Sequence, residues 1–356
     1  MAKFFITTAI HYVNGPPHIG HVYETVGADV LARYRRLRGD DVFFLTGTDE
    51  HGMKIARTAE REGVTAKALA DRNSLAFQRA FGRLLISNDD FIRTTDRRHQ
   101  RAVQTFWEKV HAHGDIQMGK YEGWYCIQDE NFVTEKEARE IQADPESGKT
   151  VEWQSEDAMF FSLSSYQHWA EQLFADRPDF LAPEVRRNEM LNSYLRPGLR
   201  DICVSRTSLD WGIPVPDVEG HVIYVWFDAL LNYISAIGYG ADEEKFAKWW
   251  PADVHVIGKD ITKFHTVLWP AMLHAAGIAP PRHVFAHGFL QMGGRKMGKS
   301  TGNVVDPMEI VEHYGPEALR YGLLRENDFG GDGNYDPEGI HTRYHSDLAN
   351  GLGNLV

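Results

Sequence analysis

Phe4-Phe5-Ile6-Thr7-Thr8-Ala9-Ile10-His11-Tyr12-Val13-Asn14-Gly15-Pro16-Pro17-His18-Ile19-Gly20-His21-Val22 is the stretch that decides the fold. Residues 4–10 are apolar and β-branched, the composition of a buried strand. Asn14-Gly15-Pro16-Pro17 breaks that run as a turn. Val22, Val26, Val30, Tyr34 and Leu37 then recur at helical spacing, so a helix opens near His18. Residues 42–46 form a second apolar run, ending in Gly47-Thr48-Asp49-Glu50-His51-Gly52. Strand, helix and strand in this order read as a βαβ unit, and the fold class is α/β with a doubly wound parallel sheet. Helical patterns continue over 66–84 and 99–113.

The texture changes between about residues 114 and 216. Gly119-Lys120-Tyr121-Glu122-Gly123-Trp124-Tyr125-Cys126 and Ala158-Met159-Phe160-Phe161 read as short antiparallel strands among helices, an insertion of α+β type. The α/β texture resumes with a strand at 222–227 and another at Val254-His255-Val256-Ile257, followed by Gly258-Lys259-Asp260. A further strand over 284–292 leads into a lysine-rich loop. The expected domains are therefore 1–113 and 217–282 for the two halves of the sheet, 114–216 for the insertion and 283–345 for the loop-bearing unit. Residues 346–356 read as the first turn of a further helical domain, cut off at Val356.

The 356 residues exceed one compact core, and 43% hydrophobic with 25% charged residues is ordinary globular composition. No apolar run reaches the length of a membrane span, and no signal-peptide pattern opens the chain. Cys126 and Cys203 form neither a disulfide framework nor a C-x-x-C pair, which points to a reducing, cytoplasmic setting. Thirty-eight basic against fifty acidic residues give a net charge of −12, which excludes a general nucleic-acid coat but not a local basic contact.

Two motifs far apart carry the chemistry. His18 and His21 stand one helical turn apart at a strand-to-helix junction, where unpartnered N–H groups and the macrodipole favour anions. Gly20 leaves room for close approach to the backbone. Lys296 and Lys299, with Ser300, sit in Gly293-Gly294-Arg295-Lys296-Met297-Gly298-Lys299-Ser300, and mobile ammonium groups can follow charge onto a leaving pyrophosphate. The same segment matches a phosphate-loop pattern, but Thr301-Gly302-Asn303-Val304-Val305-Asp306-Pro307 is poor material for the helix such a loop must open. Asp328-Phe329-Gly330 copies a kinase triplet without its partner motifs, and 328–333 lacks the closing glutamate of a calcium loop. His341 and His345 have no evident third metal ligand.

Pro17-His18-Ile19-Gly20-His21 with Lys296-Met297-Gly298-Lys299-Ser300 resemble the two signature motifs of class I aminoacyl-tRNA synthetases. Thr8-Ala9-Ile10-His11-Tyr12-Val13-Asn14-Gly15, Gly47-Thr48-Asp49-Glu50-His51-Gly52, Val225-Trp226-Phe227-Asp228-Ala229-Leu230 and Ile257-Gly258-Lys259-Asp260-Ile261-Thr262-Lys263-Phe264-His265 resemble the methionine-specific branch, the methionyl-tRNA synthetases. The resemblance spans the chain. It implies a Rossmann-type domain split by a connective insertion and followed by a small lysine-loop, stem-contact domain. It implies activation of methionine by ATP with Mg²⁺, then transfer to the 3′ end of a methionine tRNA by a soluble, cytoplasmic monomer.

The same resemblance implies residue roles. His18, His21, Lys296 and Lys299 would be catalytic. ATP would meet His18, Gly20, His21, Glu24, Gly258, Asp260, Lys296, Met297, Lys299 and Ser300, with Glu24, Gly258 and Asp260 at the ribose. Asp49 would hold the methionine ammonium, and Ala9, Ile10, Tyr12, Trp226, Ala229, Leu230, Tyr233, Ile261 and His265 would wall its side chain. Three departures stand out. Gly298 replaces the usual serine; two distant cysteines cannot form the zinc knuckle of many relatives, so no structural zinc is expected; and the helical anticodon-binding domain is missing after Val356. Two rivals remain: a small-molecule nucleotidylyltransferase, which would need neither the insertion nor the Trp226 segment, and a tRNA-binding relative without catalysis.

Overall fold

Lys3–Thr8, here β1, has five of its six residues buried and no polar face, so it can only be an interior strand. The computed structural model, which describes residues 2–128, 131–145, 148–207, 209–292, 295–296 and 305–355, puts it at the centre of a parallel sheet. Asp41–Asp49 pairs with it on one side and Val254–Gly258 on the other. Asp90–Arg93 extends the first side; Val284–His287 and then Leu181–Ala182 extend the second, all in parallel. His11–Tyr12 also pairs with the end of Asp41–Asp49. The neighbours of β1 thus come from chain segments wound in opposite directions. A crevice opens at the carboxyl ends of strands at such a switch point.

The helix Ile19–Leu37, α1, makes the first crossover. Its Ala28 and Ala32 pack on Phe4, Ile6, Phe44 and Val254 of the sheet. Its other face, with Ile19, Val22, Tyr23 and Val26, shares a second core with Leu290, Val311, Leu319, Leu323 and Ile340. The helices Pro307–Tyr314, Pro316–Glu326 and Pro337–Arg343 supply most of that second core. No helix among the described residues is long and apolar enough to cross a membrane.

Three expectations about elements need correction. The run 222–227 is a strand only at Val222–Ile223, paired antiparallel with Ser205–Arg206 outside the central sheet, and Val225–Leu230 is helical. Phe227, Leu230 and Leu231 are buried at helical spacing in the large core with Trp107 and Trp269, and that burial overrides the local β propensity. The run 284–292 is two strands, Val284–His287 and Leu290–Met292, parted at Gly288. A Cβ on Gly288 would lie 1.9 Å from the Gly331 carbonyl, so the backbones meet where no side chain fits.

Within 114–216 the two expected short strands belong to long ones, Ile116–Cys126 and Val151–Phe161, paired over eleven residues. Leu181–Ala182 joins the edge of the central sheet, and Ala170, Phe174, Phe180 and Met190 pack with Ile257, Val284 and Ala286 of that sheet. The later part of the expected insertion therefore covers the central sheet.

Asp29, fully buried on α1, ties the two cores together. Its Oδ2 accepts from Arg33 Nε at 2.8 Å and from Arg320 Nη2 at 2.5 Å, and its Oδ1 accepts from the Ser87 amide at 2.7 Å. Burial alone would raise this carboxyl; the bonds from Ser87 and Arg33 and the charge of Arg320 outweigh it and hold the group below its usual value. Asp29→Ala leaves Arg320 without its buried partner, so urea unfolding should report a loss of about 3 kcal/mol. A depressed carboxyl stabilises the fold above its unfolded value near pH 4 and ceases to do so as pH falls through the lower folded value. The difference between wild type and Asp29→Ala should therefore shrink below about pH 4; a difference constant down to pH 2 would contradict this role.

Candidate active site

α1 starts at the mouth of the crevice with a cap made of two imidazoles. The Gly20 N–H donates to His18 Nδ1 at 3.1 Å, and the His18 N–H donates to His21 Nδ1 at 3.1 Å. The rings stack with centroids 3.7 Å apart. A ring nitrogen that accepts a hydrogen bond carries no proton, so in both histidines the proton sits on Nε2, a donor. The expectation that bare amides would face an anion is thereby modified. Two of these amides serve their own histidines, and the imidazole Nε2–H groups become the donors of this helix end. A Cβ on Gly20 would press to 3.0 Å from the His18 ring, so glycine preserves the cap. Behind it, His11 Nε2 lies 3.2 Å from Thr25 Oγ1, and burial first, with His18 and His287 nearby, pushes His11 down to about 3.

A cavity of about 530 Å³ opens beside this cap. Ala9, Ile10 and Tyr12 reach it from the turn after β1, and Asp49 from the end of the neighbouring strand. Trp226, Ala229, Leu230 and Tyr233 come from the helices that follow residue 224, and Ile261 and His265 from the turn after Val254–Gly258. All ten residues expected around a methionine thus line one hollow. Trp226 stacks on Phe264 with centroids 3.8 Å apart. His265 Nδ1 faces the Ile261 carbonyl at 3.0 Å and must donate, so its Nε2 accepts the Tyr233 hydroxyl at 2.7 Å. Burial pushes His265 down to about 4 and raises Tyr233, leaving an uncharged wall.

Asp228 braces this wall from behind. The carboxylate is fully buried; Oδ2 accepts from His51 Nδ1 and Oδ1 from His99 Nε2, both at 2.6 Å. Burial alone would raise its carboxyl, but the two histidines outweigh burial and hold it below its usual value. The bonds pin the helix carrying Trp226 and Ala229 to the segments around His51 and His99. Asp228 lay inside a quoted motif, yet nothing in its spacing revealed His99 as a partner.

Gly258, Asp260, Glu24 and His21 give the same cavity a polar stretch of wall. A Cβ on Gly258 would fall 2.9 Å from Asp260 Oδ1, so this turn admits no side chain. Glu24 is 94% buried, with its Oε2 at 3.0 Å from His287 Nε2. Sequence reading missed His11 and His287, as well as Lys54, Asn232, Lys263 and Phe264 of the lining. Of these, His11, Lys263 and Phe264 stood inside quoted motifs; the others carried no signal.

Lys296 lies in the short strand Arg295–Lys296, paired antiparallel with Leu290–Met292. Met297, Lys299 and Ser300 fall outside the described residues. The chain after them returns at Val305, whose carbonyl accepts from the Ile19 N–H at 3.3 Å. The downstream end of the lysine segment is therefore bonded to the residue between His18 and Gly20.

The family model for tRNA synthetases class I (M) matches residues 4–144 and 142–356. The methionine–tRNA ligase of Brucella suis biovar 1 (strain 1330) is 52% identical over 99% of this chain and 69% of its own length. That of Bacillus subtilis (strain 168) is 48% identical over 99% of this chain and 55% of its own. Mycobacterium tuberculosis methionyl-tRNA synthetase in complex with methionyl-adenylate superposes with a TM-score of 0.96 at 50% identity, covering 100% of this chain and 70% of that one. The free form of that enzyme gives 0.85 at 46% identity, covering 100% and 68%. The chain belongs to the class I tRNA synthetases, in the methionine–tRNA ligase family.

Proposed function

We propose that this chain joins methionine to the α-phosphate of ATP, releasing pyrophosphate, and then passes the methionyl group to the 3′ end of a methionine tRNA, releasing AMP. The observation that carries the reading is the meeting at α1: two Nε2–H donors, the returning end of the lysine segment, and a thioether-sized hollow share one crevice mouth. The higher TM-score against the adenylate-bound relative agrees with it.

The chemistry needs little beyond position and charge. A methionine carboxylate is ionised at pH 7, so its oxygen attacks the α-phosphorus without a general base. The bond to the bridging oxygen breaks, and its electron pair leaves with pyrophosphate. His18 and His21 donate to the phosphate oxygens, and Lys296 and Lys299 neutralise the leaving group. Gly20, Met297 and Ser300 complete the ATP contacts on the two segments. Asp49 accepts from the methionine ammonium. The neutral Tyr233–His265 pair, Trp226 and the apolar turn after β1 take the thioether through dispersion and sulfur–aromatic contact. Gly258, Asp260 and Glu24 receive the ribose.

Mg²⁺ arrives with ATP and offsets the charge of its phosphates; no cluster of three His, Cys, Asp or Glu residues suited to a metal occurs among the described residues. A structural zinc is not part of the proposal. The sequence has only two cysteines, and Cys203 Sγ already accepts from Arg206 Nη1 at 2.9 Å. The protein acts as a cytoplasmic monomer.

ATP–pyrophosphate exchange measured across the amino acids tests the reading. Methionine should stimulate exchange far above the rest; equal stimulation by leucine or isoleucine, or exchange with no amino acid, would remove it. Lys299→Ala should lower the exchange kcat about 100–1,000-fold, as loss of a transition-state charge contact does. Methionine affinity, read by fluorescence titration of the Trp226-lined cavity, should move by less than about twofold. A matching loss of methionine affinity would place the lysine's role in ground-state binding.

A further inference from the structure

His287 has a place in this site that no motif announces. Its Nδ1 lies 2.7 Å from the Gly288 carbonyl and its Nε2 3.0 Å from Glu24 Oε2. Burial pushes the Glu24 carboxyl up, and the bond and charge of His287 oppose that shift. With Glu24 ionised both neighbours are acceptors, so both ring nitrogens donate and the ring is an imidazolium. Burial opposes that charge, and the Glu24 carboxylate overrides it, raising His287 above its usual value. The second carboxylate oxygen, Glu24 Oε1, is buried with no hydrogen bond of ordinary geometry among the described residues, on a side chain that lines the cavity. The Ala9 amide acts on this carboxylate but donates to the Val256 carbonyl at 3.1 Å. An ionised acceptor left open at a cavity wall is satisfied by a donor that enters the cavity, whether water or a ligand group. On this stretch of wall, beside Gly258 and Asp260, a nucleoside hydroxyl has that chemistry.

The imidazole is itself held from outside the sheet. Phe329 stacks on it with centroids 5.3 Å apart and 27° between planes, and Phe329 in turn lies 4.9 Å from Tyr23 on α1. The Gly288 N–H donates to the Phe329 carbonyl at 3.2 Å. A Cβ on Gly27 would lie 2.3 Å from the Phe329 ring, so α1 keeps a glycine where the ring rests. Asp332 anchors the same loop to the ribose side, accepting from Lys259 Nζ at 2.6 Å and from the Phe289 amide at 2.9 Å.

We propose that His287 is a positioning residue for the nucleotide: clamped by Phe329, it donates to Glu24 Oε2 and thereby aims Oε1 at a ribose hydroxyl of ATP. The claim rests on the adenylation reading above. It makes the loop after Pro316–Glu326, which belongs to the lysine-segment unit, part of ribose recognition.

The test is methionine-dependent pyrophosphate exchange with ATP, 2′-deoxy-ATP and 3′-deoxy-ATP, for wild type, His287→Leu, His287→Gln, Glu24→Gln and the double variant with His287→Leu. Leucine fills the space without donating; glutamine restores an N–H. His287→Leu should lower kcat/KM for ATP about 10–100-fold, mostly through the KM for ATP, as loss of a charged hydrogen bond does. The KM for methionine should change by less than about twofold. At least one deoxynucleotide should lose less than about threefold, because it lacks the hydroxyl that Glu24 holds. His287→Gln should recover most of the loss, and His287→Leu should add little in the Glu24→Gln background. Equal losses for all three nucleotides, a parallel rise in the methionine KM, or losses that multiply in the double variant would overturn the proposal. Absence of methionine-dependent exchange in the wild type would instead remove the adenylation reading on which it stands.

Discussion

The first turn of α1 leaves backbone N–H groups that the helix itself cannot satisfy, and the rest of the site is arranged around how they are used. One N–H goes to His18, one to His21, and one to the carbonyl of Val305. The first two bonds set the tautomer of both imidazoles and convert backbone donors into side-chain donors that reach farther. The third fastens the start of α1 to the chain that follows the lysine segment. A single helical turn thus sets the proton positions of two imidazoles and the relation of two cores. The parallel sheet supplies the remaining requirement, a switch point beside β1 where such a turn opens onto a crevice.

Around that turn the cavity separates its two tasks by polarity. One stretch of wall is neutral because burial and the Ile261 carbonyl force His265 to accept from Tyr233. Another keeps carboxylates, with Glu24 held by the His287 ring on which Phe329 stacks. Asp228, bonded to His51 and His99, keeps the neutral wall from shifting. The buried charge of Asp228 lies behind the wall, where it fixes helices, and the neutral Tyr233–His265 pair faces the cavity. A linear, uncharged thioether fits such a division better than a branched or charged side chain.

Much of this was legible in order along the chain. The apolar run at 4–10, the turn at Asn14-Gly15-Pro16-Pro17 and the helical recurrence from Val22 are local signals, and local signals set β1 and α1. Nine of the ten residues around the hollow could be named because they sit in short motifs that resemble a known family, and Tyr233 follows one of those motifs by three residues. Reading failed where long-range burial decides. Val225-Trp226-Phe227 has strand-like composition, yet Phe227 and Leu230 join Trp107 and Trp269 in one core only as a helix. Leu181–Ala182 is too short to announce a strand, and only its pairing with Val284–His287 makes it one. His287 lies 263 residues from Glu24, and Phe329 stood in a triplet set aside as a kinase look-alike. Neither could be connected to the site without the folded chain.

Crystals grown with methionine and a non-hydrolysable ATP analogue give the most direct measurement of whether α1 and the cavity form one site. The α-phosphorus should then lie at the first turn of α1, with His18 and His21 Nε2 on phosphate oxygens. The methionine side chain should lie between Trp226, Tyr233 and His265, and the ribose hydroxyls on Glu24 and Asp260. A nucleotide bound away from His18 and His21, or a methionine side chain outside that hollow, would contradict it.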